Sequence, residues 1–212
     1  MLDKSIPFKH VIMRLDKNIH RYEPALPQGF RFRYFAIGDE HHWARIEASV
    51  LEFENEQKAY EYFCRDYLYR LAELEKRCVF IISPEGVPVA TATAWYANSE
   101  VGYQASLHWL GVDPDYQQLG LGKAITKKAL SLFAAWEPDE SIWLHTQTWS
   151  HVAIRMYHSL GFRMLKTGRT AVEIGGEKAG PVVSKNDFAE ALEVLKGVFD
   201  DAFYKELVAS AK

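Results

Sequence analysis

The chain has 212 residues, 48% of them apolar, and a formal net charge of −3. That length gives one domain, or one domain with an appendage, and enough apolar residues for a sizeable core. The slightly acidic balance excludes electrostatic attraction to nucleic acid, and no apolar run is long enough for a membrane span, so neither is expected as a partner.

Cys64 and Cys78 are the only cysteines. With no apolar h-region near the N-terminus they read as reduced thiols, which implies a cytoplasmic protein. His41, His42, His145, His151 and His158 show no ligand spacing with cysteine, so no metal is expected.

Residues 1–29 contain Pro7, Pro24 and Pro27 and read as an N-terminal arm with one short strand, Lys9 to Arg14. Phe30 to Phe35 alternates like a strand. Asp39 is a plausible N-cap for a helix carrying Trp43, Ile46 and Val50 on one stripe. A second helix starts near Glu56, with Tyr60, Phe63, Cys64, Tyr67 and Leu71 on one face. The aromatic cluster from Phe53 to Tyr69 fits a filled core better than a substrate cleft. Cys78–Ser83 and Pro88–Trp95 read as a hairpin around Pro84-Glu85-Gly86-Val87. Tyr103 to Val112 is the next strand.

After that strand comes Gln117-Gln118-Leu119-Gly120-Leu121-Gly122, then a helix with Leu121, Ile125, Ala129, Leu132 and Phe133 on one face. Strand, glycine-bearing turn and helix in that order build an anion site. The first helical turn has N–H groups without partners, the helix dipole adds positive character, and glycines let a phosphate come close. The spacing is neither G-x-x-x-x-G-K-[ST] nor G-x-G-x-x-G, which excludes a nucleoside-triphosphate P-loop and disfavours a dinucleotide fold. Downstream, Ile142–Thr146 reads as a strand, His151–Leu160 as a helix and Phe162–Leu165 as a strand. Ala171–Ile174 reads as a last strand, Gly175 to Pro181 as a linker, and Asn186–Ala209 as a final helix that Gly197 could bend.

Val112-x-Pro114-x-x-Gln117-x-x-Gly120-x-Gly122 followed by Ala153-x-x-x-Tyr157-x-x-x-Gly161-Phe162 resembles the two signature segments of the GNAT superfamily of N-acetyltransferases, which bind acetyl-CoA. The resemblance covers roughly residues 30 to 170. It implies an α/β (α+β) GNAT fold: a mixed, mostly antiparallel central sheet, splayed in its middle and flanked by helices. Residues 30–174 would form the transferase domain and 175–212 a linker and an extra C-terminal helix. That helix could cap the fold or pair with a second subunit in a homodimer.

The resemblance also implies site roles. The backbone of Leu110 and Val112 would pair with pantetheine. The amides from Gln118 through Leu119, Gly120, Leu121 and Gly122 to Lys123 would ring the pyrophosphate, with Gln117 in the place of a family Arg or Gln. Lys123 could add charge or stay a solvated surface residue. Ser150 stands where the family often has Asn on the cofactor, and equally suits an N-cap. Ala153 would leave room for the thioester arm, and Tyr157 would protonate the leaving thiolate. A core aromatic with a locally satisfied hydroxyl is the other reading of Tyr157.

Acetyl transfer also needs a neutral amine. A lysine-like amine has a pKa of about 10.4, so losing its proton at pH 7 costs roughly 4–5 kcal/mol, and a base is useful. His108 is the first candidate. On an alternating strand it shares a side with Ser106, Leu110 and Val112, and the strand resembles that of a family member in which a His at this position takes part in a proton path. A buried, hydrogen-bonded His accounts for it equally well. Glu52 and Glu54 are the next candidates. Glu47, Glu52, Glu54 and Glu56 would favour a cationic acceptor or simply form a solvated face. The acceptor expected is a small-molecule amine. A protein amine is the alternative acceptor, and a non-catalytic acyl-CoA sensor the rival class.

Overall fold

The computed structural model describes residues 2–16, 22–99, 102–168, 170–172 and 182–212. In chain order, the first strand is β1 (His10–Leu15), followed by β2 (Arg31–Tyr34), α1 (Glu40–Ser49), α2 (Glu56–Asp66) and α3 (Leu71–Arg77). The hairpin β3 (Cys78–Ile82) and β4 (Pro88–Ser99) follows, then β5 (Gly102–Val112), α4 (Leu121–Trp136), β6 (Ile142–Gln147) and α5 (His151–Ser159). The chain closes with β7 (Arg163–Met164), β8 (Thr170–Val172), β9 (Val182–Ser184), α6 (Phe188–Lys196) and α7 (Asp201–Ala209).

These strands form one sheet in the order β2-β3-β4-β5-β6-β1-β7, with β8 added to β4 and β9 to β8. Every pairing is antiparallel except β5 with β6, which pair in parallel at Ser106 and Trp143 alone among the described residues. The sheet is thus mixed and mostly antiparallel, and it splays between β5 and β6. Alternation divides β3 between two cores. Val79 and Ile81 join a large cluster with α4, α5 and the C-terminal helices. Cys78, Phe80 and Ile82 join a second cluster with Trp43 of α1 and Phe63 of α2.

Several elements depart from the sequence reading. The strand expected inside an N-terminal arm lies within the sheet, with β6 on one side and β7 on the other. The helix beginning at Glu56 stops at Asp66 and resumes as α3 at Leu71. Tyr67, at the break, has a non-helical φ of −125° and turns its ring into the core. Asp39 stands at the N-cap of α1 without a capping bond. Its carboxylate instead takes the two-pronged Arg33 guanidinium, at 2.7 and 2.9 Å, and the Ala36 N–H. The C-terminal helix is two helices. Asp200 accepts from the Phe203 N–H and caps a new start, so the chain turns between Gly197 and Asp200 rather than bending through. Of the last expected strand, Ala171 and Val172 lie in β8, whereas Glu173 and Ile174 fall outside the described residues.

Candidate active site

Where β5 and β6 part, a cavity of about 360 Å³ opens. Its walls come from β5, β6, α5, the end of α1 and the loop beyond it, and the N-terminal segment from Leu2 to Phe8. That segment is tied across the opening by local bonds. The Leu2 N–H donates to Val50 O, the Asp3 N–H to Trp149 O, and the Trp149 indole N–H to Ile6 O.

The β5 side of the cavity is shaped by a bulge. Thr93 faces His108 but Thr91 faces Gly111, so β5 carries one more residue than β4 there. Trp109 absorbs it with φ +47°. A bulge shifts which face the following side chains meet. His108 hydrogen-bonds Tyr67 of the α1–α2 side at 2.8 Å, and Trp109 packs on the same side. Leu110 and Val112 pack instead with the α4 side. The expected single side for Ser106, His108, Leu110 and Val112 therefore ends at His108. Among the described residues no strand lies beside the edge of β5 facing away from β4 past Ser106, which leaves backbone groups there for a strand-like ligand.

At the end of β5 the glycine turn takes the expected form. Gly120 is left-handed at φ +78° and opens α4, and Gln118 is left-handed at φ +64°. Alternating backbone hands of this kind point successive N–H groups into one concavity. No backbone acceptor takes the N–H groups from Gln118 to Lys123 among the described residues. Gly120 is demanded by its φ. At Gly122 a Cβ would only reach ordinary contact, 3.7 Å from Val112 and from Met156. The Gln117 side chain turns away from the turn and donates to Val112 O at 3.0 Å. Leu119 and Lys123 are exposed beside the turn.

On α5, Ala153 and Tyr157 are one turn apart and both line the cavity, as does Ser150. Ser150 makes no capping bond, so its hydroxyl is not engaged as an N-cap. The Tyr157 hydroxyl has no hydrogen-bond partner among the described residues; its ring rests against Phe162. Burial raises its pKa, and Glu52 and Glu47 raise it further, so the phenol stays protonated.

Two carboxyl groups stand in this cavity. Glu47 is fully buried, and neither of its carboxyl oxygens has a hydrogen-bond partner among the described residues. Burial, then Glu52, pushes its pKa well above the usual carboxylate range. Glu52 accepts from Gln147 Nε2 at 3.0 Å, and burial raises its pKa too. Glu54 and Glu56 are exposed and do not line the cavity. Sequence reading placed Glu47 only among four acidic residues. Its signal was its place four residues after Trp43, on the buried stripe of α1, where a charge is out of pattern. The N-terminal wall had no signal of that kind.

Two histidines also face the cavity. Burial, then the neighbouring His145, pushes His108 down to about 3. Burial, then His10, pushes His145 down to about 4; its Nε2 lies 2.9 Å from His10 Nδ1. Both are neutral in the folded chain near pH 7. A folded pKa below the unfolded value of about 6.5 means that the unfolded chain binds protons first. Their contribution to stability is present above pH 6.5 and is lost as pH falls through the folded values, at up to ~1.4 kcal/mol per pH unit for each. The raised carboxyls act oppositely, losing their contribution as pH rises from the ordinary carboxylate value. Between pH 6.5 and 4.5 the two histidines and the two carboxyls oppose one another, so the readout is a difference: in urea unfolding, His108→Asn should shift the slope of stability against pH toward less loss with acid than in the wild type. An unchanged slope in that variant would remove His108 as a source.

Leu51 at φ +71°, Trp109 and Gln118 are the non-glycine residues with positive φ among those described, and all three are at the cavity or its turn. Each such residue costs on the order of 1–3 kcal/mol, and strain of this kind gathers at functional sites.

A family model described as "Acetyltransferase (GNAT) family" matches residues 40–162. The chain is 28% identical over 165 residues to a mycothiol acetyltransferase of Rothia mucilaginosa, covering 68% of this chain and 44% of that one. It is 29% identical over 145 residues to a mycothiol acetyltransferase of Thermobispora bispora, covering 66% and 48%. The chain spans about half the length of the curated relatives it matches. Among solved structures, a GCN5-related N-acetyltransferase from Sphaerobacter thermophilus shares the fold with a TM-score of 0.58 at 14% identity, over 77% of this chain and 50% of that one.

Proposed function

The chain belongs to the acetyltransferase (GNAT) family; from that premise we propose that it is an acyltransferase that moves the acetyl group of acetyl-CoA to a small-molecule amine by direct attack, without a covalent acyl-enzyme. The observation that carries this reading is the juxtaposition across one cavity of an unpaired β5 edge and the partnerless Tyr157 hydroxyl. The residues present fit the cofactor. The edge at Leu110 and Val112 would hold pantetheine, and the amides from Gln118 to Lys123 would hold the pyrophosphate. Ala153 and Ser150 would flank the thioester arm. A backbone N–H near Leu110 would stabilise the oxyanion, worth roughly 2.7–4 kcal/mol if it acts like other such donors. Tyr157 would give its proton to the departing sulfur.

The transferase domain proposed for residues 30–174 takes a strand from the 1–29 segment, and helices of the 175–212 segment cover one face of its core. The mycothiol acetyltransferases that match are named for acetyl transfer, which supports acetyl as the acyl group here.

Thiol release from acetyl-CoA with a panel of amines tests the reading. Release should depend on the amine and give the N-acetyl product. Tight CoA binding by calorimetry with no acylation of any amine would overturn it in favour of an acyl-CoA sensor. Gly120→Ala should raise the acetyl-CoA KM about tenfold with little change in kcat. The space for a methyl group is open there, but an L-residue held left-handed costs about 1–2 kcal/mol. An unchanged KM would detach the turn from the donor.

A further inference from the structure

We propose that Glu47 takes the proton of the acceptor's ammonium, with Glu52 beside it, so that the acceptors of this enzyme are basic aliphatic primary amines. The proposal rests on the acetyltransferase reading and deepens it by naming the acceptor class.

Glu47 is placed with unusual care for a group that the protein leaves without a partner. Arg45, two residues earlier, ion-pairs with Asp113 at the end of β5 and donates to Pro88 O at 2.5 Å. That anchors this turn of α1 against β5. The carboxyl then lies over Gly111, where a Cβ would stand only 2.7 Å from Glu47 Oε1 and 2.9 Å from Ile46. Glycine at 111 therefore lets the carboxyl reach β5, next to the backbone at Leu110. Both its oxygens lack partners while it is fully buried. A buried polar group of this kind needs an explanation, and a ligand that donates hydrogen bonds supplies one.

The surroundings select the donor. Glu52 faces the same cavity, with one oxygen on Gln147 Nε2. Two carboxyl groups in one low-dielectric cavity cannot both stay ionised without a cation near them. His108 and His145, neutral as placed, provide no such charge, and Tyr157 is acceptor or donor but not cation. Lys4, in the N-terminal wall above the Trp149 ring, acts by its charge on Glu52, whereas only burial and Glu52 act on Glu47. Tyr62 and Trp109 add aromatic faces to the same cavity, which suits an alkylammonium. A hard divalent ion would want six or more oxygens, and this cavity does not supply them.

The proton count closes. One N–H bond of R–NH₃⁺ breaks as an O–H bond forms on the Glu47 carboxylate. The neutral nitrogen attacks the acetyl carbonyl carbon, forming C–N, and collapse of the adduct breaks C–S. The thiolate takes the Tyr157 proton, and the second nitrogen proton restores the phenol. The products are the amide and CoA thiol, and the proton on Glu47 leaves to solvent. Because burial and Glu52 bring the Glu47 pKa up toward that of an amine, the first transfer is less uphill than in water.

The test compares benzylamine, which arrives as an ammonium, with aniline, which is already neutral. Glu47→Gln keeps the shape and removes the base. Its kcat/KM for benzylamine should fall by roughly 10²–10⁴-fold, with a far smaller loss for aniline. Equal losses on both amines would overturn the proposal. Glu47→Asp, which keeps the charge but draws it back, provides a second variant with the same expected bias toward loss on benzylamine. A readout without turnover runs beside these. The carboxylic-acid C=O infrared band that Glu47→Gln deletes should vanish from the wild type on saturation with benzyltrimethylammonium, which carries the positive charge but has no proton to give to the carboxylate. A band that persists would overturn the proposal. Absence of thiol release with both amines would strike the acetyltransferase reading alone, and the infrared result would still decide the role of Glu47.

Discussion

Tyr157→Phe should lower kcat by about 10²–10⁴-fold, the range expected for loss of a positioned proton donor, while acetyl-CoA binding stays near wild type. The phenol faces the cavity one turn from Ala153, with its ring fixed by Phe162 and its oxygen bonded to none of the described residues. Removing the oxygen therefore costs the fold little. What it removes is the donor to the leaving sulfur, whose thiolate must otherwise depart unprotonated. The pH dependence separates this from simple packing. Because burial, then Glu52 and Glu47, keep the phenol protonated, the wild type should show no tyrosine limb up to alkaline pH. The deficit of the variant should shrink with acyl donors whose leaving thiol is more acidic. A constant deficit across such donors, or turnover equal to wild type, would take Tyr157 out of the acid role.

The second large effect is on stability. Arg77→Met should destabilise the chain by about 3–5 kcal/mol, the usual cost of leaving one partner of a buried ion pair alone. Arg77 and Glu137 are 2.5 Å apart, with side chains 8% and 9% exposed. The guanidinium lies between the Tyr96 and Trp136 rings at 4.4 and 4.5 Å and also reaches Ala94 O. Tyr96 donates to the same Glu137 carboxylate at 2.9 Å. Without Arg77 that carboxylate is stranded between α3, β4 and the end of α4. Adding Glu137→Leu should restore much of the loss, since an apolar pair of similar volume is often neutral. Urea unfolding of both variants checks this. A double variant as unstable as the single one would show that packing of the rings, not the stranded charge, carries the effect. Activity per folded molecule should be unchanged, because the pair lies outside the cavity.

The glycine turn proposed to hold the donor was legible in the sequence because it is written in backbone requirements. Gly120 needs a left-handed φ, and a helix start after a strand supplies amides whatever the neighbouring side chains are. The acceptor side was not, for three physical reasons. Glu47 hides in a helix stripe that periodicity assigns to the core. The bulge at Trp109 cannot be seen in an alternating strand, so the faces of Leu110 and Val112 were misassigned. The N-terminal wall reaches the cavity by contacts between residues far apart in the chain, such as Lys9 with Thr148, which local pattern does not encode. The C-terminal helices show the same limit on a smaller scale. The apolar stripe from Phe188 to Phe203 reads through, while one capping aspartate, Asp200, stops and restarts the helix.

The position of β1 sets an order of events as the chain is made. It lies between β6 and β7, yet Lys9 meets Thr148 across 139 positions. The strand is made before α4 and β6 and has no edge to join until they have followed. Loop closure over such a distance is slow relative to hairpins, so β3, β4 and β5 can assemble first while β1 waits. A strand made before β3, β4 and β5 thus locks after them, and the segment before it, which walls the cavity, locks with it. Completion of the cavity is thereby coupled to a late step of folding, and a partly folded chain would already have the glycine turn without yet having the cavity's N-terminal wall.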